Sequence, residues 1–233
     1  GAIYDRAISM YQRGAEGNLG LAVIKYLKKN YPALAPKRVL DMGCTVGMST
    51  LRYVEAWPEA DVYAIDVGAP VLRYAHARAE SRGAKVHFSQ QNAEHTNFEA
   101  GSFDVVVSTI LAHETSTAAW QNILTECYRL LKPGGVMVHA DLPQFMDIDV
   151  YSQFLFGNET RYNNEPFWST FRGMDLKGAM EKAGFAPNQC FMDLAEMTDR
   201  EPGFRNTAVS ATARLKNTAA GAGFGWGVQV GIK

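Results

Sequence analysis

The chain is predicted to fold as an α/β domain, a doubly wound and mostly parallel sheet with helices on both faces. Two observations predict this class. Short apolar segments alternate with helical patterns from Arg38 to about residue 141, which is the rhythm of βαβ units. The stretch 37–50 also reads as a buried strand ending in Asp41, a turn with Gly43 and Gly47, and the start of a helix. Such a unit holds nucleotide-like ligands at the carboxyl edge of open α/β sheets.

Each predicted element has its own sequence signal. The helix before the fifth strand has one apolar stripe that includes Trp120, Leu124 and Leu131, and Pro133-Gly134-Gly135 stops it. Pro70 stands at a plausible first position of an earlier helix. The predicted parallel strands are 39–41, 61–66, 84–89, 103–110 and 136–141. Strands at 189–194 and 208–215 are predicted to add an antiparallel edge pair, which gives seven strands in all.

The ends of the chain and one insert lie outside this alternation. Residues 1–36 carry two helical patterns and are predicted to form a helical cap. The rhythm breaks after the fifth strand, so residues 142–171, which are rich in aromatic side chains, are interpreted as a lid insert. We place these parts in one domain, residues 1–217. The glycine-rich tail 218–233 alternates with apolar residues, which predicts an arm whose strand face lies on its own sheet edge or on a partner in a homodimer.

Composition excludes several partners. The 233 residues are 47% hydrophobic and carry a formal net charge of −1, with no basic run longer than Lys28-Lys29, so neither nucleic acid nor an anionic surface is an expected partner. No apolar span is long enough to suggest membrane insertion. The three cysteines lie far apart without C-x-x-C spacing, which fits a reducing cytoplasm. No group of Asp, Glu and His has ligand spacing, so no metal is implied.

The glycine spacing separates two cofactor classes. Dinucleotide folds use G-x-G-x-x-G, whereas here Thr45 stands between Gly43 and Gly47, and Met48 occupies the place of a third glycine. The run 41–47 resembles motif I of class I S-adenosylmethionine (SAM) methyltransferases, D-x-G-x-G-x-G. Further motifs of that family follow in order over about residues 37–186. They are Val62–Asp66, Gln91–Phe98 (similar to G-D-A-E-x-L-P-F), Leu130–Gly135 and Ala183–Phe185. The match resembles the branch of ubiquinone-type and other small-molecule methyltransferases.

This resemblance implies SAM as the cofactor, with S-adenosylhomocysteine as its product. Asp66 then accepts hydrogen bonds from the ribose hydroxyls, since a carboxylate offers only acceptors. Asn92, which replaces the family's Asp, reads the adenine amino group as Asn does in DNA recognition. Thr45 replaces the middle glycine and, being β-branched, is expected at negative φ with its hydroxyl toward the methionine carboxylate. The implied cofactor-binding residues are Asp41, Gly43, Cys44, Thr45, Gly47, Asp66, Val67, Asn92, Ala93 and Ser108.

A sulfonium already carries a good leaving group, so the protein mainly aligns the acceptor and excludes water. A hydroxyl acceptor also needs a general base, and His113 follows the fourth strand in a segment that resembles the family's L-H-H. Glu114 either orients the imidazole or begins the next helix. Aromatic residues are expected to wall a pocket for an apolar or aromatic small molecule. These substrate residues are Tyr4, Tyr11, Tyr151, Phe154, Tyr162 and Trp168.

The sequence therefore predicts a SAM-dependent methyltransferase that acts on a hydroxyl or carbon atom of a small acceptor molecule. Two alternatives stay open. Thr45 and Asn92 depart from the family pattern, which leaves room for a non-catalytic SAM-binding or scaffold protein of the same fold. An NAD(P)-dependent oxidoreductase is disfavoured by the missing third glycine.

Overall fold

The computed structural model describes residues 1–11, 18–142, 144, 149–162, 164–196 and 225–233. Over these residues the chain forms one seven-stranded sheet with the order β3-β2-β1-β4-β5-β7-β6. The first five strands are parallel, and β7 lies antiparallel between β5 and β6. The predicted fold class is thereby confirmed. The strands are β1 (Arg38–Met42), β2 (Asp61–Asp66), β3 (His87–Gln90), β4 (Phe103–Thr109), β5 (Leu131–Asp141), β6 (Cys190–Glu196) and β7 (Gly225–Ile232).

Helices cover both faces of the sheet. Local signals fix several of their ends: Ser116 accepts a hydrogen bond from the amide of Ala119, and Asp175 accepts one from that of Gly178. The helices are α1 (Ala2–Tyr11), α2 (Asn18–Asn30), α3 (Met48–Ala56), α4 (Ala69–Ser81), α5 (Thr117–Leu130), α6 (Val150–Gly157), α7 (Glu159–Tyr162), α8 (Trp168–Arg172) and α9 (Leu176–Ala183), with a 3₁₀ turn at Ala112–Glu114. No helix in the described ranges reaches the length and apolarity that a bilayer crossing requires.

Two apolar layers bury the sheet. On one face, α5 and α9 cover β1, β4 and β5, and the apolar stripe predicted around Trp120 is buried there. On the other face, α2 packs against β1, β4, β5 and β7, with Val23 and Leu27 fully buried. Two-sided burial explains why the central strands read as continuous apolar runs. The result is a rigid sheet whose carboxyl edge carries the polar residues described below.

The C-terminal edge differs from the sequence-based prediction. Residues 225–232, assigned above to an arm, form β7 and pair with both β5 and β6 of the same chain. Val228 and Val230 are fully buried, and a Cβ on Gly231 would lie 2.7 Å from Cε1 of Phe185, so this alternating row packs inside the domain. In this chain the tail thus lies on its own sheet, one of the two positions predicted for it. The predicted strand at 208–215 lies outside the described residues.

Candidate functional site

Acidic residues from separate strands gather at the carboxyl edge of the sheet. Asp41 precedes the last residue of β1, Asp66 ends β2 and Asp141 ends β5. Since these strands are parallel, their carboxyl ends meet at one edge, where ligands bind in open α/β sheets. Two groups of residues form there, one around the glycine loop and one around His113.

The glycine loop is held close to β2. The amides of Gly43 and Cys44 both donate to the carbonyl oxygen of Ile65, at 2.9 and 3.0 Å. Gly43 has φ 70°, and a Cβ there would lie 2.8 Å from Cδ1 of Leu111. Gly47 has φ 75° and caps α3. Both glycines are therefore required by the backbone path, and the loop leaves the start of α3 facing the edge of the sheet.

Thr45 contradicts the predicted negative φ. Its φ is 46°, and its amide donates a 2.9 Å hydrogen bond to Oδ2 of Asp66. That bond fixes the turn in the left-handed region, at a cost that a β-branched residue normally avoids. A side-chain hydrogen bond also links Thr45 to the hydroxyl of Tyr4. The middle position of the loop thus keeps the conformation of a glycine although a threonine occupies it.

Asp66 is the centre of the first group. Its Oδ2 accepts the amide of Thr45, and its Oδ1 accepts the amide of Gly68 at 2.7 Å. Because an ionised carboxylate has about four lone-pair positions, it can accept two more hydrogen bonds while keeping these two. Val67 follows with 66% of its surface exposed, an uncovered apolar side chain beside a hydrogen-bonding acid. This combination suits a sugar diol next to a flat ring.

Asn92 is exposed and turned toward its own segment. Its Oδ1 accepts the amide of Glu94 at 2.9 Å, and its Nδ2 lies 3.3 Å from Oε1 of Glu94. This is the geometry of an Asx turn, the structural role open to Asn at such a position. Ala93 packs against the core.

Asp41 lies below the loop, with only 1% of its surface exposed. The hydroxyl of Thr50 donates to its Oδ2 at 2.6 Å. Burial raises the pKa of Asp41 to about 7, the Thr50 hydrogen bond opposes this change, and the charge of Asp66 adds to it. A cation near the loop would therefore be favoured because it stabilises the ionised form.

The second group is a histidine held by a buried carboxylate. Nδ1 of His113 lies 2.6 Å from Oδ1 of Asp141, and both side chains are almost fully buried. Asp141 also accepts the amides of Ala112 at 2.9 Å and Leu142 at 2.7 Å. Burial acts to lower the pKa of His113, but the hydrogen bond and charge of Asp141, with the charges of Glu114 and Glu165, raise it overall.

Nε2 of the same imidazole faces two further carboxylates. It lies 3.7 Å from Oε1 of Glu114, and Glu165 brings a third ligand-type atom, all three within 4.8 Å of one another. Trp168 packs edge-on against the imidazole, with ring centroids 5.1 Å apart. The 3₁₀ turn after β4 and the segment before α8 therefore meet at Nε2.

Helix α1 is attached to α4 and carries Tyr4. Asp5 binds the hydroxyl of Tyr74 at 2.8 Å and Nη1 of Arg78 at 2.5 Å, which fastens α1 to α4. Burial raises the pKa of Tyr4, the hydrogen bond from Thr45 lowers it, and the charges of Glu114 and Asp66 raise it further. The charges of both groups thus act on the Tyr4 hydroxyl.

The structure does not bring every predicted residue to this site. Ser108 is buried, and its hydroxyl lies 2.6 Å from Nδ1 of His139 in the core. Three residues predicted to wall a substrate pocket are largely exposed because they lie on the outer surfaces of short helices. They are Tyr151 (60%), Phe154 (66%) and Tyr162 (76%). The Tyr11 side chain lies outside the described part of the chain.

Two residues of the site were missed by sequence reasoning. Asp141 ends a parallel strand just as Asp66 does, and this position was a usable signal that it reaches the same edge. Glu165 stands in the predicted lid insert, where no local pattern connects it to His113. Trp168 was assigned to a substrate wall, and it does reach the imidazole.

The glycine loop lies inside the part of the chain that matches a known family model. Residues 39–135 match a family model described as a methyltransferase domain. The demethylmenaquinone methyltransferase of Thermus thermophilus is 38% identical over 109 residues, which are 47% of this chain and 49% of that protein. A ubiquinone biosynthesis O-methyltransferase of Nitrosococcus oceani is 32% identical over 120 residues, 51% of this chain and 49% of its own length. The chain thus spans about half the length of these relatives.

The fold is also similar to that of a solved methyltransferase. The solved structure of Haemonchus contortus phosphoethanolamine N-methyltransferase 2, in complex with SAM, superimposes with a TM-score of 0.59 and 19% identity. The alignment covers 93% of this chain and 52% of that one. Residues 39–135, which carry the glycine loop and Asp66, are therefore similar to methyltransferase domains, and the chain shares its fold with a solved methyltransferase.

Proposed function

We propose that the protein binds SAM at the glycine loop and transfers its methyl group to a hydroxyl or carbon atom of a small apolar or aromatic molecule. The observation that carries this proposal is the double attachment of Asp66. Its carboxylate accepts the amides of Thr45 and Gly68, yet it keeps the capacity to accept two more hydrogen bonds. A ribose diol is the group that this capacity fits.

The proposed binding mode uses each part of the loop. Backbone N–H groups at the start of α3 face the carboxylate of the amino-acid end, and Asp41 supplies negative charge for its ammonium group. Asp66 receives the ribose hydroxyls, and Val67 covers one face of the adenine. Asn92 contacts the adenine amino group once its amide leaves the Asx turn. When bound, SAM supplies an electrophilic methyl group on a positively charged sulfur.

The acceptor is placed beside His113. Asp141 holds the tautomer in which Nδ1 carries the proton, so Nε2 is free to accept one from an acceptor hydroxyl. Glu114 flanks the same atom and contributes negative charge. Trp168 forms the apolar side of the acceptor space, and Tyr4 closes it from α1. The names of the two relatives, which act in quinone biosynthesis, support a small aromatic acceptor.

Calorimetry with the full chain tests the cofactor. We expect one site for SAM and one for S-adenosylhomocysteine, with no binding of NADH. Binding of NADH in place of SAM would support the oxidoreductase alternative and contradict the proposal.

A screen with methyl-labelled SAM then tests the reaction. Hydroxylated quinones, phenols and polyketide-like molecules form the acceptor panel, and transfer to one of these classes is the expected result. Tight SAM binding without transfer to any of them would instead favour the non-catalytic SAM-binding alternative.

A further inference from the structure

We infer that His113, Glu114 and Glu165 form a binding site for a divalent metal cation. Each residue offers one ligand atom, and the three atoms lie within 4.8 Å of one another. Protein ligands bind zinc-sized cations at about 2.0–2.2 Å, which places neighbouring ligand atoms about 3–4 Å apart. The 3.7 Å between Nε2 of His113 and Oε1 of Glu114 already falls in that range.

The histidine is prepared for this role by Asp141. Metal-binding histidines usually donate their other ring N–H to a carboxylate, which fixes the tautomer and the ring orientation. Here Nδ1 of His113 makes that bond at 2.6 Å. The ring is buried, and among the described residues no hydrogen bond engages Nε2, which faces the two glutamates. The ring that carries this nitrogen is only 3% exposed, and Asp141 fixes its orientation independently of the two glutamates.

The surroundings favour a cation that keeps open coordination positions. Trp168 and Phe171 cover the imidazole, with ring centroids 5.1 and 6.4 Å away, so one side of the site is apolar. Glu114 is 56% exposed and can move toward a cation at little cost. Three protein ligands leave positions for water or for an oxygen of a bound molecule, as in catalytic zinc sites.

The donor set indicates which cations to test. One imidazole with two carboxylates suits Zn²⁺, Fe²⁺ or Mn²⁺ better than Mg²⁺, which prefers oxygen ligands alone. If the proposed methyl transfer holds, the bound cation would lower the pKa of an acceptor hydroxyl. In the metal-loaded protein Nε2 of His113 would be a ligand, so the general-base role proposed above would apply to the metal-free protein. The binding claim itself does not depend on methyl transfer.

Calorimetric titration of the chelator-treated full chain with ZnCl₂, MnCl₂ and MgCl₂, in the absence of SAM, is the experiment. We expect one equivalent of Zn²⁺ or Mn²⁺ to bind. Glu165→Gln and Glu114→Gln should each weaken this binding roughly tenfold or more. Asp141→Asn should weaken it about 10- to 100-fold, as expected for a positioning residue. Co²⁺ should give a visible d–d absorption band that changes in Glu165→Gln.

A matched control is available in α4. His76 and Glu80 also lie 3.7 Å apart, but both are exposed and no third ligand is assigned to them. The double variant His76→Gln, Glu80→Gln should therefore leave the affinity unchanged. Circular dichroism shows whether each variant folds, and SAM affinity is measured separately.

Three results of the metal titrations would overturn the metal site. They are an absence of Zn²⁺ and Mn²⁺ binding, affinity that is undiminished in Glu165→Gln, and loss of binding in the α4 control. Binding of tetramethylammonium without any metal would also overturn it, because the carboxylates would then serve an organic cation. None of these results alters the test of SAM binding at Asp66.

Discussion

Replacing Asp66 with Ala is the most direct test of the proposed cofactor site. The change removes the acceptors of the Thr45 and Gly68 amides and the capacity left for a ribose diol. Hydrogen bonds to a charged group contribute about 1.5–3 kcal/mol. Since about 1.4 kcal/mol is a tenfold change in affinity, SAM binding should weaken roughly 10- to 140-fold.

The same substitution should cost some stability. Two backbone amides lose their acceptor, but both residues are only partly buried, so water can replace part of the loss. We expect the free energy of unfolding to fall by on the order of 1–2 kcal/mol, which leaves the domain folded. The stability of Asp66→Asn should lie between those of the parent chain and Asp66→Ala. The oxygen of the asparagine side chain can accept a hydrogen bond from one of the two backbone amides, while its NH₂ group faces the other.

Calorimetry gives the SAM affinity and urea unfolding gives the stability. Asp61 at the opposite end of β2 provides the control, since its side chain is 67% exposed and lies far from the carboxyl edge. Asp61→Ala should leave SAM affinity unchanged. If Asp66→Ala folds and binds SAM as tightly as the parent chain, the reasoning is refuted and Asp66 is only a loop and helix cap.

Thr45→Gly should raise the free energy of unfolding, measured in urea, by about 0.5–1 kcal/mol. The gain from removing backbone strain at φ 46° exceeds the entropy that glycine adds to the unfolded chain, and a lower stability would refute this strain. For Asp41, a folded pKa of about 7 lies above the unfolded value, so stability should fall as pH rises from about 4 to 7, by up to about 4 kcal/mol. The urea midpoint of Asp41→Asn should not fall over this pH range. If the midpoints of both chains fell equally with pH, the raised pKa of Asp41 would be contradicted. His113→Ala should lower methyl transfer at least about 100-fold with unchanged SAM affinity, and equal activity would make the histidine structural. Deleting residues 225–233 should abolish cooperative unfolding, because β7 with Val228 and Val230 lies inside the sheet; a folded remnant would contradict this.

Local patterns were sufficient for the parallel half of the fold. The strand Asp61–Asp66 was predicted with the bounds observed, and the helix with the Trp120 stripe lies where its period placed it. Such patterns succeed because two-sided burial of a strand gives a short apolar run, and the end of a strand is visible within a few residues of sequence. The glycine loop is another local feature, since Gly43 and Gly47 both have positive φ.

Local reasoning was not sufficient where contacts with segments distant in sequence decide the conformation. Thr45 was expected at negative φ from its branched side chain, yet its φ is 46° and its amide donates a hydrogen bond to Asp66. The alternating row of the tail predicted a strand on its own sheet edge or on a partner, and only the folded chain shows that it lies between β5 and β6. Composition alone also could not show that the side chains of Tyr151, Phe154 and Tyr162 are largely exposed in this structure.

The sequence by itself determined the class of fold, the glycine turn and the acid at the end of β2, because each is encoded by neighbouring residues. Only the tertiary structure decided that Asp141 holds His113 and that Glu165 meets the same imidazole. Those contacts join separate strands and the segment before α8, and they depend on how the sheet is ordered. Packing, which is set by the whole chain, therefore built the group around His113, while local sequence built the glycine loop.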